Sequence, residues 1–113
     1  MSAKEYPEII HRLPDVDVPL AGVRGKLLQG ERNQLVFFEI DAGAAVPLHR
    51  HGAQWGIVVE GELKLTIDGE TRSYRPGDTY VVPAGVEHGA VFENPVKVID
   101  FFDEPDRYRA RGE

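Results

Sequence analysis

Apolar residues in this chain come in short runs cut by Gly, Pro or Asp, and no stretch keeps a helical period beyond a few residues. Residues 35–40 read as a mostly buried strand stopped by Asp41, and residues 55–60 as another stopped by Gly61. Leu63, Leu65 and Ile67 alternate with Lys64, Thr66 and Asp68, the pattern of a half-buried strand. Asp68-Gly69 is a strong hairpin turn into residues 70–75. Pro76-Gly77-Asp78 turns the chain into residues 79–82, Pro83-Ala84-Gly85 turns it again, and residues 88–93 return. Asn94-Pro95 leads into the last strong strand, residues 96–103. At the ends, residues 6–13 read as a strand within an N-terminal extension, 1–30. Residues 105–112 read as a short helix or a tail, within 103–113. Many short strands separated by turns predict an all-β sandwich or barrel, as one domain over 1–113.

The alternation also places chemistry. His49 and His51 lie one residue apart on an extended segment, so their imidazoles point to the same side. Gln54 follows, and His88 stands far along the chain behind Pro83-Ala84-Gly85. Four potential ligands from two separated segments suit a metal site inside a barrel. Gln54 either ligates directly or hydrogen-bonds a bound water. Trp55 has the opposite parity to Gln54 and is expected to pack between sheets or subunits. Phe92 shares the parity of His88 and should face inward as pocket wall or filling. On the last strand either Val98, Asp100 and Phe102 or Ile99, Phe101 and Asp103 face inward. A buried Asp100 needs a partner, and beside a metal it is a candidate general base.

Composition narrows the classes. The chain has 113 residues with 42% apolar content, enough for a real core. It lacks a run of about 20 apolar residues and so should not span a membrane by a helix. The start, MSAKEYPEII, lacks the apolar core of a signal peptide, and there is no cysteine, so a cytoplasmic location is expected. A net charge of −6, with scattered basic residues, argues against nucleic-acid binding.

The two histidine blocks resemble the paired motifs of the cupin superfamily. Gly43, His49, His51, Gln54 and Gly61 match the first motif, with Gln54 where Glu is usual. Gly77, Pro83, Gly85 and His88 match the second, with Phe92 where Asn is usual. The resemblance covers about residues 33–102. It implies an antiparallel jelly-roll barrel holding a divalent metal on His49, His51, Gln54 and His88. That set is neutral, so it leaves the full charge of the ion to attract and polarise an anionic or carbonyl-bearing substrate. Imidazole-rich ligation suits Mn, Fe, Ni, Cu or Zn over Mg²⁺.

Asp100, Phe102 and Arg107 further resemble a subgroup of small cupins that convert unsaturated uronates to linear ketonic forms. Here the spacing from His51 to Gln54 is one residue shorter, and Arg107 stands one residue further from Asp100. The resemblance implies Asp100 and Arg107 as catalytic residues and Phe102 in the substrate pocket, and the inward parity of Phe92 makes it a second candidate for the pocket wall. Three readings follow. The first is a metal-dependent enzyme performing a redox-neutral isomerisation or ring opening on a small oxygen-rich acid or sugar. The second is an iron-dependent dioxygenase. The third is a non-catalytic sugar or metabolite sensor. A homodimer is expected, with Trp55 and Phe101 on outward faces and the 6–13 segment able to add a strand to a partner.

Overall fold

The computed structural model describes residues 5–112. A short helix α1 (Glu8–His11) precedes nine strands: β1 (Val23–Gln29), β2 (Gln34–Ile40), β3 (Ala45–His49), β4 (Gln54–Glu60), β5 (Leu63–Ile67), β6 (Glu70–Tyr74), β7 (Thr79–Val82), β8 (His88–Val91) and β9 (Val96–Phe102). They form a five-stranded sheet ordered β1-β2-β9-β4-β7 and a four-stranded sheet ordered β3-β8-β5-β6. Every pairing between these strands is antiparallel, and the two sheets face one another as a jelly-roll barrel.

The β5–β6 hairpin turns at Asp68 (φ 51°) and Gly69 (φ 79°), where two consecutive left-handed residues match the twist of the flanking strands. On the large sheet, alternation separates two faces. Val36, Phe38, Val98, Asp100 and Phe102 point into the barrel and are buried. The structure thus selects the Val98–Asp100–Phe102 set on β9. Phe102 is 2% exposed, and burial of such a side chain stabilises a fold by about 1.5–3 kcal/mol.

The outward face carries a row running across all five strands. Leu28 pairs with Leu35, Leu35 with Phe101, Phe101 with Trp55, and Trp55 with Val81. Trp55 is 40% exposed on this outer surface, so it does not pack between the two sheets.

Two expectations about the ends are corrected. The 6–13 segment is not a strand: residues 8–11 form the α1 turn behind Pro7, whose φ of −70° suits a helix start. Tyr6 before it is buried, and its hydroxyl donates to the carbonyls of Phe38 and Val98, at 3.1 Å each. This segment is therefore tied to its own barrel rather than offered as an extra strand. The 105–112 segment is neither helix nor loose tail. Ala110 forms a bridge with Val16, and the Arg111 amide donates to Asp15. Gln34, fully buried, grips both backbone groups of Tyr108, and Gln29 holds the carbonyl of Pro105. The segment becomes a strap across one end of the barrel. Residues 1–4 of the expected N-terminal extension and residue 113 of the expected tail lie outside the described residues.

Candidate metal centre

Three histidines converge where the two sheets meet. His49 ends β3 and stands opposite His88, the first residue of β8. His51 lies beyond the end of β3, on the crossing from the small sheet to the large one, so strand alternation does not itself orient it. The ring centroids are nevertheless only 4.3–5.0 Å apart, and potential ligand atoms of all three rings fall within 4.8 Å of one another.

Each ring is anchored by its Nδ1. That atom lies 2.8 Å from the Pro47 carbonyl in His49, 2.8 Å from the Gly52 carbonyl in His51 and 2.9 Å from the Val86 carbonyl in His88. A carbonyl only accepts, so each Nδ1 carries the proton and each neutral ring presents a lone pair at Nε2. The Nε2 atoms of His51 and His88 face each other at 3.0 Å. Two such lone pairs repel unless a cation or a proton lies between them. Burial pushes the His51 imidazolium down to about 4 and also lowers that of His88, with the positive charge of Arg107 adding to both. Near neutral pH those two rings stay unprotonated and ready to ligate. The donor set therefore fits a divalent transition metal.

Gln54, the first residue of β4, lines the same cavity, which holds about 70 Å³. Its side chain hydrogen-bonds Asp100. An ionised carboxylate only accepts, so the Gln54 amide nitrogen is the donor and its oxygen stays available as a neutral ligand.

Asp100 is 5% exposed and accepts a 2.7 Å bond from the Tyr80 hydroxyl. Burial raises its carboxyl to about 6, against the lowering effect of the bonds from Tyr80 and Gln54. Gly56 makes this network possible. It sits on β4 directly between Asp100 on β9 and Tyr80 on β7, and a Cβ there would overlap the Asp100 carboxylate and the Tyr80 ring. The missing side chain lets the tyrosine reach across one whole strand.

Phe92 and Phe102 are buried and form apolar wall of the cavity. Arg107 is not in that cavity. It lines an adjoining groove of about 350 Å³, which shares His49 and Tyr108 with the cavity. Its guanidinium carbon lies 4.4 Å over the Tyr108 ring, and its Nε is buried with no acceptor among the described residues. Two polar residues at the site escaped the sequence reading. Tyr80 had one signal, a glycine inside a neighbouring strand, which marks close approach. Glu104, on the strap, accepts from the Gly52 amide at 2.7 Å and lies 3.4 Å from the His51 Nδ1. Its irregular segment gave no signal.

Residues 36–102 match the family described as Cupin domain. The chain is a cupin. The structure of KdgF from Halomonas sp. superposes with a TM-score of 0.73 at 34% identity, covering 82% of this cupin and 89% of that chain. An RmlC-like cupin from Shewanella frigidimarina NCIMB 400 gives a TM-score of 0.77 at 28% identity, covering 95% and 94%. Among curated relatives, mannose-1-phosphate guanylyltransferase of Salmonella montevideo is 34% identical over 71 residues. That match takes in 61% of this cupin but only 15% of the enzyme's length. No described helix is long and apolar enough to cross a membrane.

Proposed function

We propose that this cupin is a metal-dependent enzyme acting on a small oxygen-rich acid or sugar, through a redox-neutral isomerisation or ring opening. The observation that carries the reading is a buried carboxylate, Asp100, in the same cavity as three histidines whose Nε2 lone pairs are free to converge. His49, His51 and His88 would hold the ion, with Gln54 as fourth ligand. A bound divalent metal supplies Lewis-acid polarisation of a substrate carbonyl or carboxylate oxygen. Asp100 takes a proton from the carbon beside that group, leaving the electron pair delocalised onto the carbonyl as an enolate, and gives the proton back at another atom of the substrate, so the isomerisation is proton-neutral and the carboxylate is restored. A carboxyl raised to about 6 suits a base working near neutral pH. Tyr80 holds Asp100 in place through its hydroxyl, and Phe92 and Phe102 keep bulk water off the reacting atoms. Arg107, which lines the adjoining groove, would grip the substrate carboxylate. The resemblance to uronate-linearising cupins makes unsaturated uronates the first substrates to assay, followed by small keto acids and diketones.

The test is Asp100→Asn, which keeps shape and removes basicity. The variant should retain metal and fold but turn over about 100-fold more slowly, the size of a general-base effect. Undiminished turnover would remove Asp100 from the mechanism. Ligand binding without turnover by the parent across the whole panel would favour the sensor reading.

The outer row Leu28–Leu35–Phe101–Trp55–Val81 supports a homodimer joined through the large sheet. Light scattering at micromolar concentration that gives 12.6 kDa would contradict it. The absence of cysteine fits a cytoplasmic setting.

A further inference from the structure

We propose that Glu104 is a positioning residue of the metal site, an outer carboxylate that holds His51 and returns the negative charge the ligand set lacks. The inference rests on the metal reading above. The four proposed ligands, His49, His51, Gln54 and His88, are all neutral. A divalent ion on such a set keeps its full charge, and the nearest carboxylates then govern how firmly it is held. Glu104 stands directly behind one ligand. Its Oε2 lies 3.4 Å from the His51 Nδ1, the nitrogen turned away from the histidine cluster, and 2.7 Å from the Gly52 amide that follows it. The same Nδ1 has its short bond to the Gly52 carbonyl, 2.8 Å. The carboxylate therefore acts on the Nδ1–H by its charge and, by holding the Gly52 amide, steadies the residue whose carbonyl accepts the hydrogen bond from that Nδ1.

The approach is built into the chain on both sides. A Cβ at Gly52 would come 2.8 Å from the Glu104 Oε2, so residue 52 without a side chain leaves room for it. The Asp103 amide donates to the Ala53 carbonyl at 2.9 Å, just before Glu104. Just after it, Gln29 holds the Pro105 carbonyl at 2.9 Å, and Gln34 holds Tyr108. Glu104 is thus placed by its backbone before any ion arrives. Because Arg107 rides on the same strap, Glu104 also links the proposed metal ligands to the group proposed to meet the substrate.

The experiment compares Zn²⁺ and Mn²⁺ affinity of the parent and Glu104→Gln by competition with a chromogenic chelator, alongside thermal midpoints of both metal-free proteins. The glutamine keeps the shape and can still accept from the Gly52 amide, and it loses only the charge. The expected result is affinity weaker by about tenfold or more with an unchanged metal-free midpoint. Affinity within about twofold of the parent would overturn the assignment, and so would an affinity loss matched by a lowered metal-free midpoint, which would mark a purely structural role. A parent that takes up neither ion would remove the metal reading itself, and this assignment with it.

Discussion

The histidine cluster and the Asp100 network share one cavity but are built in opposite ways. Each histidine is anchored locally, by a carbonyl one or two residues away in sequence: Pro47 for His49, Gly52 for His51, Val86 for His88. Asp100 is anchored at long range, by Tyr80 reaching over Gly56 from β7 to β9 and by Gln54 from β4. Local anchoring leaves each ring's tautomer intact when a neighbouring ligand is removed. Long-range anchoring makes the carboxylate's position a property of strand register, so it fails together with the sheet. The metal half of the site should therefore lose a side chain at little cost in stability, whereas the proton-transfer half should tolerate only changes that keep its shape, such as Asp100→Asn.

The sharpest break is in activity. Asp100→Asn should lower turnover by about 100-fold at unchanged metal content, whereas His88→Ala should abolish turnover by losing the metal. Measuring both quantities on both variants separates the two halves directly.

The next effect is on stability. Gly56→Ala would force a methyl group into the Asp100 carboxylate and the Tyr80 ring, and overpacking of this kind costs about 1–3 kcal/mol. Urea unfolding of the metal-free protein should register that loss, while the more exposed His49→Ala should cost clearly less. Equal losses would mean that the histidines are as embedded in the fold as the carboxylate.

Arg107→Ala tests the groove. It should raise KM by about tenfold with little change in kcat, as expected for a group that binds ground state and transition state alike. An unchanged KM would detach the groove from the cavity.

A further contrast is a pair of opposed pH slopes in the metal-free protein. His51 is lowered from 6.5 to about 4, so its unprotonated ring contributes stability that is full above pH 6.5 and is lost as pH falls toward 4. Asp100 is raised from 3.8 to about 6, so its folded form holds a proton that the unfolded chain gives up, and stability falls as pH rises through that interval. His51→Gln should flatten the loss of stability on acidification from pH 6.5, and Asp100→Asn should steepen it. Thermal midpoints across pH 4–7 would read both, and slopes of the same sign would refute the opposition.

The same contrast explains what was legible in the sequence. The His49–His51 pair, Gln54 and His88 stand in compact motifs, so local spacing was enough to name them. Asp100 was visible as a polar residue in an apolar strand, but its face was left open until the pairing of β9 with β2 and β4 decided it. Tyr80 was hidden because its partner lies two strands away. Glu104 was hidden because the strap that carries it has no period, and its course depends on buried Gln34, which reads locally as an ordinary polar residue at a strand start. The 8–11 helix was missed because one turn is too short for any periodicity, and its cues were only Pro7, Glu8 and His11 at its ends. Strand β1 was not picked out because Gly25 and two basic residues interrupt it. Gly25 is needed there, since a Cβ would strike Val36 and Val16.

The central claim, that His49, His51 and His88 hold a divalent transition metal, is tested most directly by elemental analysis of protein purified without an affinity tag. The parent should carry about one equivalent of Mn, Fe, Ni, Cu or Zn per chain, and alanine at any one of the three histidines should remove most of it, since few donors remain. Metal content unchanged in all three variants would place the ion elsewhere and contradict the account.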